Sequence, residues 1–145
     1  MSEFLNGRPP TSFWVVGGAA LVWNLIGLVS YYSHVTMTPE ALAEYTEAQQ
    51  ALISSTPTWA TAAYAIAVNA GVLASLFLLL RKGWATPMFI LSLLAIIAQD
   101  LHAFVLSNGI EVWGINGMIL PAVIIVIGVA LLWYSRSAKA RGWLV

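Results

Sequence analysis

The chain has 145 residues, of which 60% are hydrophobic and 8% are charged, and its six basic and six acidic side chains give no net charge. Soluble domains carry about 25% charged residues, so this composition excludes a water-soluble fold and predicts an integral membrane protein. Six scattered cations are too few for a nucleic-acid-binding surface, and a chain without cysteine has no disulfide and no thiolate metal site.

Four apolar stretches are each long enough to cross a hydrocarbon core of about 30 Å, which takes roughly 20 helical residues. The first follows Arg8 and the Pro9-Pro10 pair. It is longer than the apolar core of a signal peptide, and no small-residue cleavage pattern comes after it. We therefore predict a retained first helix and a single four-helix transmembrane bundle over residues 1–145, with helices at about residues 12–34, 59–80, 85–106 and 116–134.

The charged residues predict how the bundle is oriented. All the cations fall at one end of four alternating helices, and the loops at the other end contain acids but no Lys or Arg. Because cytoplasmic loops are enriched in cations, both termini are predicted to be cytoplasmic. The cations are Arg8, Arg81, Lys82, Arg136, Lys139 and Arg141, and the acids of the opposite loops are Glu40, Glu44, Glu47 and Glu111.

The long loop between the first two helices contains a helix signal of its own. Thr38-Pro39-Glu40 has the pattern of an N-cap, a proline at the first helical position and an acid in the first turn. The spacing of the glutamates that follow predicts a short amphipathic helix over about residues 39–53. Its acidic face is either a solvated surface, which is the favoured interpretation, or a lid over a site.

The chain also contains a weak internal repeat. A shift of 76 residues places Phe13 on Phe89 and Asn24 on Asp100. Two hairpins related by an axis along the membrane normal would produce such a pattern, as in some transporters. The alternative is chance similarity, since apolar helices resemble one another easily.

Asp100 is the first candidate for a functional residue. It is the only Asp in the chain and the only acid inside a predicted span, where a carboxylate costs about 2.5–3.5 kcal/mol. Hydrocarbon offers polar groups no partners, so we expect Asn24, Asn69, Gln99 and Asp100 to meet in the bundle interior at similar depth. Together with His102 they form the predicted substrate or proton site. The alternative is that these side chains only cross-link the helices, which is favoured for Asn24 and Asn69 and is evenly balanced for Asp100.

His102 is not expected to pair with Asp100. At 100° per residue the two lie about 160° apart on a helix, and Gln99 lies between them. We expect Asp100 to face the bundle and His102 to face an oligomer partner or the outer headgroups, with His34 inert at the interface. A metal at Asp100 and His102 would need ligands from other helices, so no metal or other cofactor is predicted. The chain has no nucleophile elbow, phosphate-binding loop or zinc-protease motif, and no enzyme is predicted.

Four segments together carry a family resemblance: LVWNLIG, TPTWATAAYAIAV, LFLLLRKGWA and RSAKARGWL. They resemble a family of small four-helix bacterial inner-membrane proteins whose members are often labelled "sugar transporter". The resemblance covers nearly the whole chain and implies a multi-pass protein of a bacterial, proteobacterial inner membrane. It carries over no functional residues.

Two functions are consistent with these features. The first is a small-solute transporter or channel-like bundle in which Asp100 is the protonatable group and Gln99, Asn24 and Asn69 line the path. Because four helices hardly enclose a pathway alone, this function predicts a homo-oligomer. The second is a non-catalytic membrane subunit or assembly factor that docks a partner membrane protein. A third function, an enzyme acting on lipid or quinone, lacks a supporting constellation of residues.

Overall fold

The structure, a computed structural model, describes residues 8–145, so the first seven residues of the predicted domain lie outside the described residues. The described chain is helical and contains no strand. Its α-helices are α1 (Thr11–Val35), α2 (Pro39–Leu42), α3 (Glu47–Ser54), α4 (Thr58–Leu79), α5 (Ala85–Leu101), α6 (Gly109–Trp113) and α7 (Ile119–Ala140). A π turn (His102–Leu106) continues α5, and a 3₁₀ turn (Ile115–Met118) precedes α7.

Four of these helical stretches are long and apolar enough to cross a membrane: Thr11–Val35, Thr58–Leu79, Ala85–Leu106 and Ile115–Ala140. The prediction of an all-helical protein with four helices of membrane-spanning length is confirmed. The predicted end of the fourth helix is too early, because α7 continues through the basic residues to Ala140. Ser135 and Ala138 explain the extension, since both are buried against the neighbouring helices and Thr86 Oγ1 donates to Ser135 Oγ at 3.2 Å.

The long helices pack in chain order, with α1 on α4, α4 on α5 and α5 on α7. Among the described helices, α1 and α7 make no extensive contact with each other. They approach at the end that contains the cations, here called the basic end, where the rings of Phe13 and Tyr134 stack at 6.4 Å. The largest cluster of buried side chains lies at this end and contains Phe13, Ala74, Leu78, Ala85, Phe89, Ala138, Trp143 and Leu144. The bundle is therefore held tightly at the basic end.

The loop between α1 and α4 lies at the opposite end, here called the acidic end. The prediction of one helix over residues 39–53 is wrong, because α2 and α3 are separate. Thr46 breaks the helix, since its hydroxyl accepts from the Gln49 backbone N–H at 3.2 Å and its own N–H donates to Gln49 Oε1 at 3.1 Å. This reciprocal pair is a capping box, which starts a new helix. The predicted N-cap at Thr38 is confirmed by its bond from Ala41 N.

Candidate functional site

A cavity of about 290 Å³, here called the central cavity, lies between the four long helices. The helix α7 contributes only apolar side chains and glycine to its wall, including Pro121, Ile124 and Gly128. The polar side chains come from the other three helices and are Asn24, Ser30, Tyr64, Ser92, Gln99 and Asp100. The cavity therefore has one apolar wall and one partly polar wall.

Asp100 lies on the polar wall of the central cavity, as predicted for a residue that faces the bundle. Its Oδ2 atom is buried and has no hydrogen-bond partner within the described part of the chain. A buried acceptor left without a donor costs about 1–3 kcal/mol. Protonation of the carboxyl, which removes its charge, would lower this cost, and a bound molecule would reach the oxygen only after the side chain turned toward the cavity.

Asn24 also lines the central cavity, and its amide joins α1 to α4. Its Nδ2 donates to Ala20 O at 2.8 Å and to Ser75 Oγ at 3.2 Å. Ser92 adds a second link between helices, since its hydroxyl donates to Ala67 O at 2.7 Å across the α4–α5 contact. These bonds join the helices of the polar wall and position α5, which carries Gln99 and Asp100.

Asn69 does not join this group, and the expectation that it meets Asn24, Gln99 and Asp100 is wrong. Its side chain is exposed on the outer surface of α4, and its Nδ2 donates to Ala65 O of the same helix at 2.8 Å. Two residues correspond to about 200° around a helix. Asn69 therefore projects away from Ala67 and Gly71, whose faces meet the neighbouring helices.

A second cavity of about 260 Å³, here called the outer cavity, lies at the acidic end. His102 lines it, and its ring meets that of Trp59 edge to face at 5.4 Å. The expectation that His102 faces an oligomer partner or the outer headgroups stays a prediction, since the outer cavity lies at the end of the bundle where those headgroups would be. The π turn (His102–Leu106) begins at this residue, and π turns within helices are frequent at functional sites.

Both histidines of the chain line the outer cavity. His34 comes from α1, and its ring lies 5.7 Å from that of Tyr64. Polar groups from the remaining wall include Thr56, Thr61 and Ser107. The outer cavity is therefore richer in hydrogen-bonding side chains than the central one.

Tyr64 and Gln99 line both cavities. The position of Gln99 follows from its place on the helix, about 100° from Asp100 and about 60° from His102. Asp100 and His102 accordingly stand in different cavities with Gln99 between them. Tyr64, Ser92 and His34 were not among the predicted site residues. Tyr64 and Ser92 could have been identified from the sequence, because each is a polar side chain within an apolar stretch.

Metal-binding geometry is not found at either cavity. Within residues 8–145, no group of three or more His, Asp or Glu side chains comes together in a way that could hold a metal ion.

Comparisons of the chain with models of known protein families, with curated proteins and with solved structures find no match. The fold nevertheless defines a class, a helical bundle with four helices able to span a membrane and a partly polar interior. The two cavities are therefore the basis on which a function is proposed.

Proposed function

We propose that this protein is a small-solute transporter or channel-like bundle in which the central cavity holds the solute and Asp100 is the protonatable group. The observation that carries the proposal is the position of Asp100 on the wall of the central cavity, together with its buried Oδ2, which has no donor within the described part of the chain. A solute donor or a proton on the carboxyl would satisfy it. Exchange of one for the other is a simple way to couple solute movement to a proton.

The two cavities suggest the route. A solute would enter the outer cavity from the acidic end, pass Tyr64 and Gln99, and reach Asp100 in the central cavity. The hydroxyl and amide of these two residues can hydrogen-bond to a passing polar group. Tyr64 and Gln99 support the proposal because each of them lines both the outer and the central cavity.

The walls of the central cavity indicate the class of solute. Its volume of about 290 Å³ is at the lower limit of small-molecule pockets. The apolar wall from α7 favours a compact apolar body, and Asp100 favours a hydrogen-bond donor such as an amino or hydroxyl group. We therefore expect a small solute with both features.

Orientation and location belong to the same proposal. The cations at the basic end support cytoplasmic termini, and the resemblance noted above supports a bacterial inner membrane.

The proposed two-hairpin repeat is supported by the burial of both Phe13 and Phe89 and by the presence of both Asn24 and Asp100 at the central cavity. No catalytic chemistry and no cofactor are proposed for this chain.

The direct test replaces Asp100 by Asn in protein reconstituted into vesicles. Uptake of small amines and small neutral alcohols is measured with and without a proton gradient. We expect Asp100→Asn to lower uptake of the transported solute at least about fivefold, since a donor to this carboxyl is worth about 1–3 kcal/mol.

The matched control is Glu111→Gln, the same acid-to-amide change at an exposed position on α6. It should leave uptake unchanged. Uptake that survives in Asp100→Asn would contradict the proposed role of the carboxyl.

The alternative function, a non-catalytic subunit or assembly factor, is favoured by one observation. Since α1 and α7 make no extensive contact along the described chain, a helix of a partner membrane protein could seat between them. Under that alternative, a stable partner co-purifies from native membranes and the isolated protein moves no solute.

A further inference from the structure

The outer surface of α4 carries a stripe of exposed residues with a regular spacing. Starting from Ala62, the exposed positions follow at intervals of 4, 3, 4, 3 and 4 residues. They are Ala62, Ile66, Asn69, Leu73, Leu76 and Leu80, here called the Asn69 stripe. Alternation of 4 and 3 is the spacing by which one helix presents a continuous seam to another, with a left-handed crossing.

The Asn69 stripe has the length of a membrane crossing. Its 18-residue extent corresponds to about 27 Å of helix, and Asn69 stands about 10 Å from Ala62 and about 16 Å from Leu80. The amide is therefore near the middle of the span, the region where lipid offers polar groups nothing to bond to.

Asn69 has unused hydrogen-bonding capacity at that depth. An asparagine side chain offers two N–H donors and a carbonyl with two lone pairs. Within residues 8–145, the side chain of Asn69 makes one hydrogen bond, to Ala65 O of its own helix. The amide carbonyl is free to accept from a group outside the protomer.

We propose that the Asn69 stripe is the interface of a homodimer, in which Asn69 bonds to Asn69 of the second copy. Two copies inserted in the same direction are related by a twofold axis along the membrane normal, which keeps every residue at its own depth. Asn69 then meets its own equivalent, as an isologous interface requires. An amide is self-complementary, because the N–H of each can donate to the carbonyl of the other.

The exposed surface of α5 does not offer the same chemistry. On α5 the large exposed side chains facing outward in mid-span are apolar, as Leu91, Leu94 and Ile97 illustrate. No residue of the Asn69 stripe lies on the wall of the central cavity or of the outer cavity. The dimer would leave both cavities of each protomer unobstructed, so this proposal does not depend on the proposed solute.

The absence of native cysteine makes the test direct. Leu73→Cys introduces a single thiol on the stripe and keeps Asn69, whereas Leu94→Cys introduces one at an exposed position of α5. After oxidation with copper phenanthroline in native membranes, we expect a disulfide-linked dimer from Leu73→Cys and little or none from Leu94→Cys. Equal cross-linking of the two variants, or cross-linking of Leu73→Cys only to a different protein, would overturn the proposal.

A second measurement isolates the amide. With a dye on the thiol of Leu94→Cys, which lies off the stripe, Asn69→Leu should weaken dimerisation by about five- to thirtyfold, since interhelical polar contacts in model peptides are worth that much. Dilution of the labelled protein in vesicles, read by energy transfer between copies, gives the association constant. Asn69→Leu replaces the amide with an apolar side chain suited to lipid, so folding of the protomer should be retained. An unchanged association constant would overturn the assignment of Asn69.

Discussion

Asn24 and Gly71 lie in direct contact where α1 crosses α4. A Cβ atom on Gly71 would collide with Asn24 Oδ1 and would stand 2.8 Å from Asn24 Cγ. Glycine at this position lets the amide of Asn24 approach α4 and reach Ser75. The absence of a Cβ atom at Gly71 therefore allows Asn24 to take its place on the polar wall of the central cavity.

Replacing Gly71 by Ala should destabilise the bundle by about 1–3 kcal/mol, the usual cost of inserting atoms into a packed contact. The physical reason is that Asn24 must move away and lose its bond to Ser75. Unfolding of the purified protein in mixed micelles, followed by circular dichroism, measures the change.

The matched control is Gly18→Ala on α1, where an added Cβ meets nothing within 4 Å. It should be neutral or stabilising by up to about 1 kcal/mol, because Ala is the better helix former. Equal losses of stability in the two variants would contradict the account of Gly71.

The two asparagines explain why site residues could be predicted only in part. Asn24 and Asn69 were both expected in the interior, yet one lines the central cavity and the other is exposed. In a soluble helix, polar residues mark the outer face. In a membrane helix both lipid and interior are apolar, so the hydropathy pattern does not reveal which face is buried. Small residues on α4 do carry that information, since Ala63, Ala67, Ala70 and Ala74 are buried.

At the scale of elements, residues 143–145 act as a strap across the basic end. The backbone N–H of Gly83 donates to Val145 O at 2.9 Å, and the N–H of Val145 donates to Arg81 O at 2.8 Å. Arg81 Nε donates to Trp143 O at 2.8 Å, and the Trp143 ring packs against Phe13 at a ring distance of 5.9 Å. The strap thus joins the α4–α5 turn to the start of α1.

Trp143→Ala should destabilise the protein by about 3–5 kcal/mol, as is usual when a large buried aromatic side chain is truncated. Phe13 and the α4–α5 turn would lose a packing partner together. Thermal or denaturant unfolding in micelles measures the loss.

The control at the same end is Trp133→Ala. Residue Trp133 is 69% exposed, so its truncation should change stability by less than about 0.5 kcal/mol. A Trp143→Ala variant as stable as Trp133→Ala would show that the strap does not hold the bundle.

Long elements were predictable and short ones were not. Helix length and composition alone identify the four long helices, because membrane thickness sets a minimum run of apolar residues. The break at Thr46 depends on the two hydrogen bonds of a capping box, and the strap at Trp143 depends on three hydrogen bonds and on one ring entering a buried cluster. Neither feature leaves a periodic pattern in the sequence.

At the scale of the whole molecule, the order of packing creates the central cavity. Since each long helix packs on its neighbours in the chain, α1 and α7 are left without extensive contact, and the cavity lies between these helices and the α4–α5 pair. The two helices meet at the basic end, where the rings of Phe13 and Tyr134 stack. The outer cavity adjoins the central one through Tyr64 and Gln99 on the other side. The two cavities therefore share two wall residues and extend from the middle of the bundle toward the acidic end.

The reactivity of a thiol on the wall of the central cavity tests the proposed solute site most directly. Ile96→Cys places it in the central cavity, and Leu94→Cys places it two residues away on the outer surface of the same helix, at nearly the same depth. A membrane-impermeant thiol reagent is added to the acidic-end side of sealed vesicles. Because the reactive form is the thiolate, which needs water, we predict that Ile96→Cys is labelled at least about tenfold faster than Leu94→Cys. Equal and slow labelling of both would mean that the cavity is closed to water and would contradict a solute site at Asp100.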